Sequence, residues 1–393
     1  MRKFTKVLGL GMLSAAFVLM GSGMAVAQCD DVEGQTEHYT KFTQNFQAKD
    51  PDKLQIALDS GKVFLEKYGN CEDLKQQVDY IKPWIERLTK RIPQLRKEIE
   101  LDKLFGEFDA AIKATNASQV YSVGRKILEI DPGNANVIMV MGGIGLDEAI
   151  KGNFANVDES LRYAKVALDC AKNTSCEFTK KRTNGELEAG AFHLSFTRKE
   201  AVDQMTYVLG YLHYQGKKDK KAALPYYYEL IQTSDRFKSE PGIYASIASY
   251  YSDEAQRIGK EIEPLDAELT RLQKANENPE RQKELYDMIR PKEALYKAYE
   301  ERTLDALGRA HKFAKNTTPA EKQYRDNLYR TIQEIYKSRF EKSDGLDNWL
   351  TTATSKPMPN PLSEVTPVED EAETTTSAAP AGGNGTTANV SRP

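Results

Sequence analysis

The sequence predicts an all-α fold: an α-solenoid of antiparallel helical hairpins, closed by a disordered C-terminal tail. Three observations carry this. Apolar residues recur at helical spacing through residues 28–355. Period-2 alternation is not sustained anywhere, and no Asn-Gly turn is flanked by alternating apolar residues. Clusters of Asp, Asn, Pro and Gly punctuate the helical stretches, as at Lys49-Asp50-Pro51-Asp52, Asp131-Pro132-Gly133-Asn134 and Ser239-Glu240-Pro241-Gly242.

The chain opens with Met1, Arg2, Lys3 and Lys6, then an apolar run from Val7 to Met20 broken by Gly9 and Gly11. Ala25-Val26-Ala27 offers the small residues that a signal peptidase accepts. Residues 1–27 are therefore expected as a cleaved, bacterial-type signal peptide, with Gln28 as the new N-terminus. The apolar run is short of the ~20 residues that span a bilayer. Cys29 follows Gln28 where lipoprotein processing needs a small residue, so Cys29 is read as a thiol or disulfide cysteine. The expected location is periplasmic or extracellular, with no membrane span in the mature chain. Loss of Arg2, Lys3 and Lys6 moves the net charge from −3 to −6, which argues against a nucleic-acid partner.

The mature chain holds four cysteines, Cys29, Cys71, Cys170 and Cys176. An even count in an exported protein favours disulfides, and four allow three pairings. The simplest set is Cys29–Cys71 and Cys170–Cys176. Neither metal binding nor redox chemistry finds the CxxC spacing or nearby histidines it needs.

Within the body, Leu54, Ala57, Gly61 and Phe64-Leu65 share one helical face, as do Val78, Ile81, Ile85 and Leu88. Leu209-Gly210, Ala222, Tyr226 and Leu230 recur at spacings that resemble the tetratricopeptide repeat, a helix–turn–helix unit of about 34 residues. In that family a Leu-Gly pair lets the second helix approach closely, and a small residue sits four before an aromatic on that helix. Thr206 replaces the family's opening aromatic and His213 a tyrosine. Tyr244, Ile247, Ala248 and Tyr251 resemble the first helix of a further unit. Gly124, Leu128 and Asp131-Pro132 resemble a repeat end, and Val140-Met141-Gly142 another Leu-Gly position. The resemblance is clear over roughly residues 101–255. It implies a TPR-like α-solenoid, an exported bacterial member of the family. The charged stretch Glu261–Glu284, with Pro264, Pro279 and Pro291 cutting it into pieces, is expected as a longer, protruding hairpin. From Lys356 the apolar pattern stops. Pro357, Pro359 and Pro361, an acidic cluster and a Thr/Ala/Gly/Ser tract mark 356–393 as disordered.

Catalytic motifs are lacking. The histidines His38, His193, His213 and His311 show no i, i+4 pair, and HExxH, GxSxG and GxxxxGK[ST] do not occur. Gly142-Gly143-Ile144-Gly145 lies inside a helical repeat, where close helix packing is the better use of the glycines. Asp147-Glu148 and Asp253-Glu254 are assigned to solvated faces. No cofactor and no metal are implied, and the chain is expected not to be an enzyme. Asn116, Asn173, Asn316, Asn384 and Asn389 begin N-x-[ST] triplets, expected to be unmodified in a bacterial export product.

Tyr207, Tyr211 and Tyr214 form a stripe at i, i+4 and i+7, with Gln204 one turn earlier. The resemblance puts this stripe on the concave surface, and the comparable positions of the next unit are Ala245, Ser249 and Ser252. Tyrosine supplies contact area with a hydrogen-bonding tip; the competing use is inter-helix packing. The expected ligand-binding residues are Gln204, Tyr207, Tyr211, Tyr214, Ser249 and Ser252. The expected function is a non-enzymatic exported scaffold for a protein or peptide partner. The alternative is a subunit that assembles with itself into a filament. A glycan is the third ligand class the stripe suits.

Overall fold

A computed structural model describes residues 29–173 and 197–368. The expected signal peptide, Cys176, His193 and the distal tail lie outside these residues. Among the described residues the fold is all-α, with twelve α-helices and no strand. Contacts divide the chain into two compact units, Met1–Leu101 and Asp102–Pro393, within the segment expected as one continuous repeat body.

The first unit is built on α1 (Val32–Asn45), α2 (Pro51–Tyr68) and the start of α3 (Lys75–Lys113), which continues through the division between the units. Asp31 caps α1 by accepting from the Gly34 backbone N–H at 2.9 Å, and its other oxygen accepts from the Tyr68 hydroxyl at 2.7 Å. The tyrosine bond, then the backbone bond, hold the Asp31 carboxyl below the usual range. Burial, reinforced by Asp31, pushes the Tyr68 phenol up to about 12. Gly61 is where three helices meet: a Cβ there would lie 2.7 Å from Ile85 and 3.0 Å from Phe42. Phe42 stacks on Phe46 at 5.2 Å, and Trp84 meets Phe46 edge-on at 4.8 Å. The expected Cys29–Cys71 disulfide is present and fastens the residues before α1 to the end of α2 across 42 positions.

The second unit follows chain order. Its helices are α4 (Ala117–Ile130), α5 (Ala135–Ile150), α6 (Val157–Lys172), α7 (Arg198–Tyr211), α8 (Lys220–Thr233), α9 (Pro241–Ala275), α10 (Pro279–Phe313), α11 (Pro319–Phe340) and α12 (Leu346–Ser355). Each packs on the next from α4 to α11, and α12 folds onto α10. Side-chain caps from Asn116, Asn134, Asp219 and Asn278 start four of the helices, and full capping boxes, Thr197 with Glu200 and Thr318 with Glu321, start α7 and α11. The glycines of α5 serve packing: a Cβ on Gly142 would lie 2.8 Å from the Ala164 backbone, and Ser160 donates its hydroxyl to the Gly142 carbonyl.

Two expectations are corrected. Pro264 and Pro291 do not cut the charged stretch, which breaks once, before Pro279, into a hairpin of long helices: α9 and α10 run as 35-residue helices through Pro264 and Pro291. Both prolines are exposed, and so are Lys260 and Asp287, whose carbonyls lose their helical partners, so water can satisfy them. The lost helical bond costs about 3 kcal/mol at each proline. Zipping Ile258, Ile262, Leu269 and Leu272 against Leu285 and Ile289 outweighs it, at about 1.5–3 kcal/mol per buried side chain. Secondly, the chain does not leave the fold at Lys356. Met358, Pro361 and Val365 are buried, and the Val368 N–H donates to the Ala294 carbonyl at 3.0 Å. Their i, i+3, i+7 spacing is helical, but Pro357, Pro359, Pro361 and Pro367 exclude a helix there, so the sequence pattern hides the packing. The buried Arg309–Asp305 pair prepares this exit. The Arg309 guanidinium also donates to the carbonyls of Ala353 at 3.1 Å and Lys356 at 2.7 Å.

Cys29→Ser is expected to lower the unfolding free energy of the first unit by about 4 kcal/mol, the loop-entropy value for a bridge of this span. Denaturant titration of the oxidised proteins measures it. A reductant should bring the parent to the stability of the variant.

Candidate functional site

The predicted tyrosine stripe lies on α7 and on the wide π turn Leu212–Gly216 that continues it. The buried side of α7 fixes its direction: Ala201, Met205, Val208, Leu209 and Leu212 face the core, which leaves Gln204, Tyr207, Tyr211 and Tyr214 half-buried at its margin.

The turn between α8 and α9 closes over the first half of the stripe. Phe237 lies flat on Tyr207, with ring centroids 4.7 Å apart. Arg236 stacks its guanidinium over Phe237 at 4.8 Å and donates to the Gln204 side-chain oxygen at 3.3 Å. Ser234 anchors the turn by donating to the buried Asp203 carboxylate at 2.7 Å. Burial at this stack raises the Tyr207 phenol above its ordinary value. Tyr211 follows at 6.1 Å from Tyr207, and Tyr214 lies 6.2 Å from Tyr227.

Ser249 and Ser252 belong to α9. The Ser249 hydroxyl accepts from the Lys220 ammonium at 2.8 Å, and Lys220 pairs with Asp253 at 2.6 Å. Ser252 is engaged along its own helix, accepting from Gln256 at 3.4 Å. The structure thus joins Gln204 and Tyr207 to Arg236 and Phe237, and Ser249 to Lys220 and Asp253. Arg236, Phe237 and Lys220 are absent from the predicted set. Arg236 and Phe237 lie between repeat positions, where helical spacing says nothing about them. Lys220 opens α8 within a Lys-rich run, which composition marks only as solvated.

The packing partner of Gly210 also differs from expectation. A Cβ on Gly210 would meet the Tyr227 ring at 2.7 Å, and Ala223, Tyr227 and Leu230 form the buried face of α8. The spacing named Ala222 and Tyr226. The π turn holds one more residue than an α turn, and that residue carries the buried face of α8 one position along. Tyr226 is half-buried and stacks on His213 at 5.7 Å.

Carboxylates with other candidate roles are held in structural contacts. Glu148 accepts from Asn153 at 2.9 Å and Asn156 at 2.8 Å, closing the α5–α6 loop. Burial raises Asp147. Among the described residues no three His, Cys, Asp or Glu side chains converge as metal ligands, and no helix is long and apolar enough to cross a membrane. Comparison with protein-family models, with curated proteins and with solved structures gives no match.

His213 supplies a pH test of this packing. Burial lowers its basicity, with the Lys217 charge acting in the same direction and Asp219 opposing. The folded chain therefore holds the neutral ring, while the unfolded chain takes up a proton near pH 6.5. Its contribution to stability is complete above that pH and is lost as pH falls below it. His213→Phe keeps a ring against Tyr226 and removes the proton site. The Tm of the variant minus that of the parent should grow more positive from pH 7 to pH 5, as read by thermal denaturation at both pH values.

Proposed function

We propose that this chain is an exported, non-enzymatic scaffold of the TPR-like α-solenoid type, and that it holds a protein or peptide partner. The observation that carries the reading is the chain-order packing of α4 to α11, with glycine at the two Leu-Gly-like positions, Gly142 and Gly210, against the following helix. In repeat proteins, stacking of successive hairpins leaves an extended surface for partners. The leader-like first 27 residues and the Cys29–Cys71 bridge support an oxidising destination.

Tyr211 and Tyr214 are the stripe residues best suited to contact a partner. Tyr207 is committed to the Phe237 stack, whereas Tyr211 and Tyr214 are half-buried and keep part of each side chain open. Half-open tyrosines lose little side-chain entropy on binding, and their hydroxyl tips suit peptide backbone and polar side chains.

The test is native purification of the tagged chain from the exported fraction, followed by mass spectrometry of what it retains. A partner should be retained and its recovery should fall at least tenfold in the Tyr211→Ala/Tyr214→Ala variant, with an unchanged far-ultraviolet circular dichroism spectrum. Recovery of further copies of the chain alone would favour the self-assembling filament subunit. A clean monomer from every exported fraction would refute the scaffold.

A further inference from the structure

Residues 357–368 leave α12 and lie along α10. Their direction is set at both ends. Arg309 holds the Lys356 carbonyl at 2.7 Å, and the Val368 N–H reaches the Ala294 carbonyl at 3.0 Å. The segment therefore runs antiparallel to α10 over the face between Arg309 and Ala294. That face is about 22 Å long at the α-helical rise, whereas twelve residues of polyproline helix would cover about 37 Å. The turn at Asn360–Ser363, closed by the Ser363 N–H on the Asn360 carbonyl at 3.1 Å, takes up the difference.

The way the segment is held is that of a bound peptide. Met358, Pro361 and Val365 are buried, and Val368 is half-buried against the same apolar cluster as Ala298, Leu307 and Ala310. Between these anchors Asn360, Leu362, Ser363, Glu364, Thr366 and Pro367 face solvent. Among the described residues, a single backbone hydrogen bond ties the segment beyond Lys356 to the helices, the one at Val368. Pro357, Pro359, Pro361 and Pro367 each fix one backbone angle of the free segment, so docking it costs less conformational entropy than ordering an unrestricted chain. Few backbone bonds and spaced apolar anchors also mark a segment that opens without unfolding the helices beneath it.

We infer that the α10 face between Ala294 and Arg309 is a peptide-docking site, and that residues 357–368 are its tethered occupant. The partner it fits is a proline-punctuated peptide that turns once, as at Asn360–Ser363, between apolar anchors seven residues apart, as at Met358 and Val365. The free chain keeps the site closed with its own segment, and such a partner enters by displacing it. This rests on the reading of the chain as a binding scaffold and moves the partner site from the tyrosine stripe to α10. A tethered occupant competes at high effective concentration, so an incoming peptide binds with an affinity reduced by the fraction of chains that are open.

Two measurements on the full chain decide this. The first is native-state hydrogen exchange of the parent protein. The Val368 amide should exchange at least a hundredfold faster than the Leu304 and Leu307 amides of α10. Equal rates would make the segment an inseparable part of the core and overturn the proposal. The second is titration of a synthetic peptide of residues 356–368 into the parent and into Met358→Ser/Val365→Ser, followed by fluorescence anisotropy. Binding to the variant should be at least tenfold tighter than to the parent, and a peptide carrying both substitutions should not bind. Equal binding to both proteins, or none to a folded variant, would overturn the proposal. Should the variant fail to fold, the exchange rates of the parent decide alone. The outcome is separable from that of the scaffold reading, because the peptide assay needs no natural partner. Peptide binding without any co-purified partner would sink the tyrosine-face reading and leave this site standing.

Discussion

Close approach of helix backbones at small residues is the constraint on which the rest of this structure depends. At Gly142, α5 meets the Ala164 backbone of α6 with no room for a methyl group. Gly145 meets Ser160 in the same crossing, and Ser160 returns a hydrogen bond to the Gly142 carbonyl. At Gly210, α7 admits the ring of Tyr227, and at Gly61 the aromatic core of the first unit closes. Each crossing fixes which face of the next helix is buried, and hence which side chains remain at the margin. The half-open position of Tyr211 and Tyr214 follows from the commitment of Leu209, Gly210 and Leu212 to the core.

The ends of the two units are secured by different chemistry. In the first unit a covalent bridge and the Asp31–Tyr68 hydrogen bond act at the same corner, so the beginning of α1 is tied to the end of α2 twice. In the second unit a buried ion pair does the corresponding work. Arg309 is neutralised by Asp305 within its own helix, and its remaining donors satisfy two carbonyls as the chain leaves α12. A buried charge without such partners is costly. Removing either member would therefore strand the other in a largely buried site.

Much of the fold was legible because helical spacing and capping chemistry are local. The clusters at Asp50-Pro51, Gly133-Asn134 and Glu240-Pro241 mark the starts of α2, α5 and α9, and Cys29–Cys71 belongs to the simplest of the three pairings. What stayed hidden depends on neighbours distant in sequence. Pro264 and Pro291 look like breaks until the pairing of α9 with α10 is known. The choice between Tyr226 and Tyr227 turns on a single extra residue in the π turn. Met358, Pro361 and Val365 keep a helical spacing in a segment whose prolines forbid a helix, so their burial shows only in the fold. At the candidate site, the stripe itself was visible on one helix, while Arg236, Phe237 and Lys220 join it only through the fold.

Missing side chains, and not weak helix propensity, explain the glycines at the crossings. A paired denaturation experiment on Gly142→Ala and Gly106→Ala tests it most directly, since both glycines lie within helices and a Cβ on Gly106 would touch nothing within 4 Å. Propensity alone favours alanine at both sites, by up to about 1 kcal/mol. Gly106→Ala should stabilise the protein by up to that amount, and Gly142→Ala should destabilise it by about 1–3 kcal/mol through overpacking. A gain of stability at both positions would contradict it.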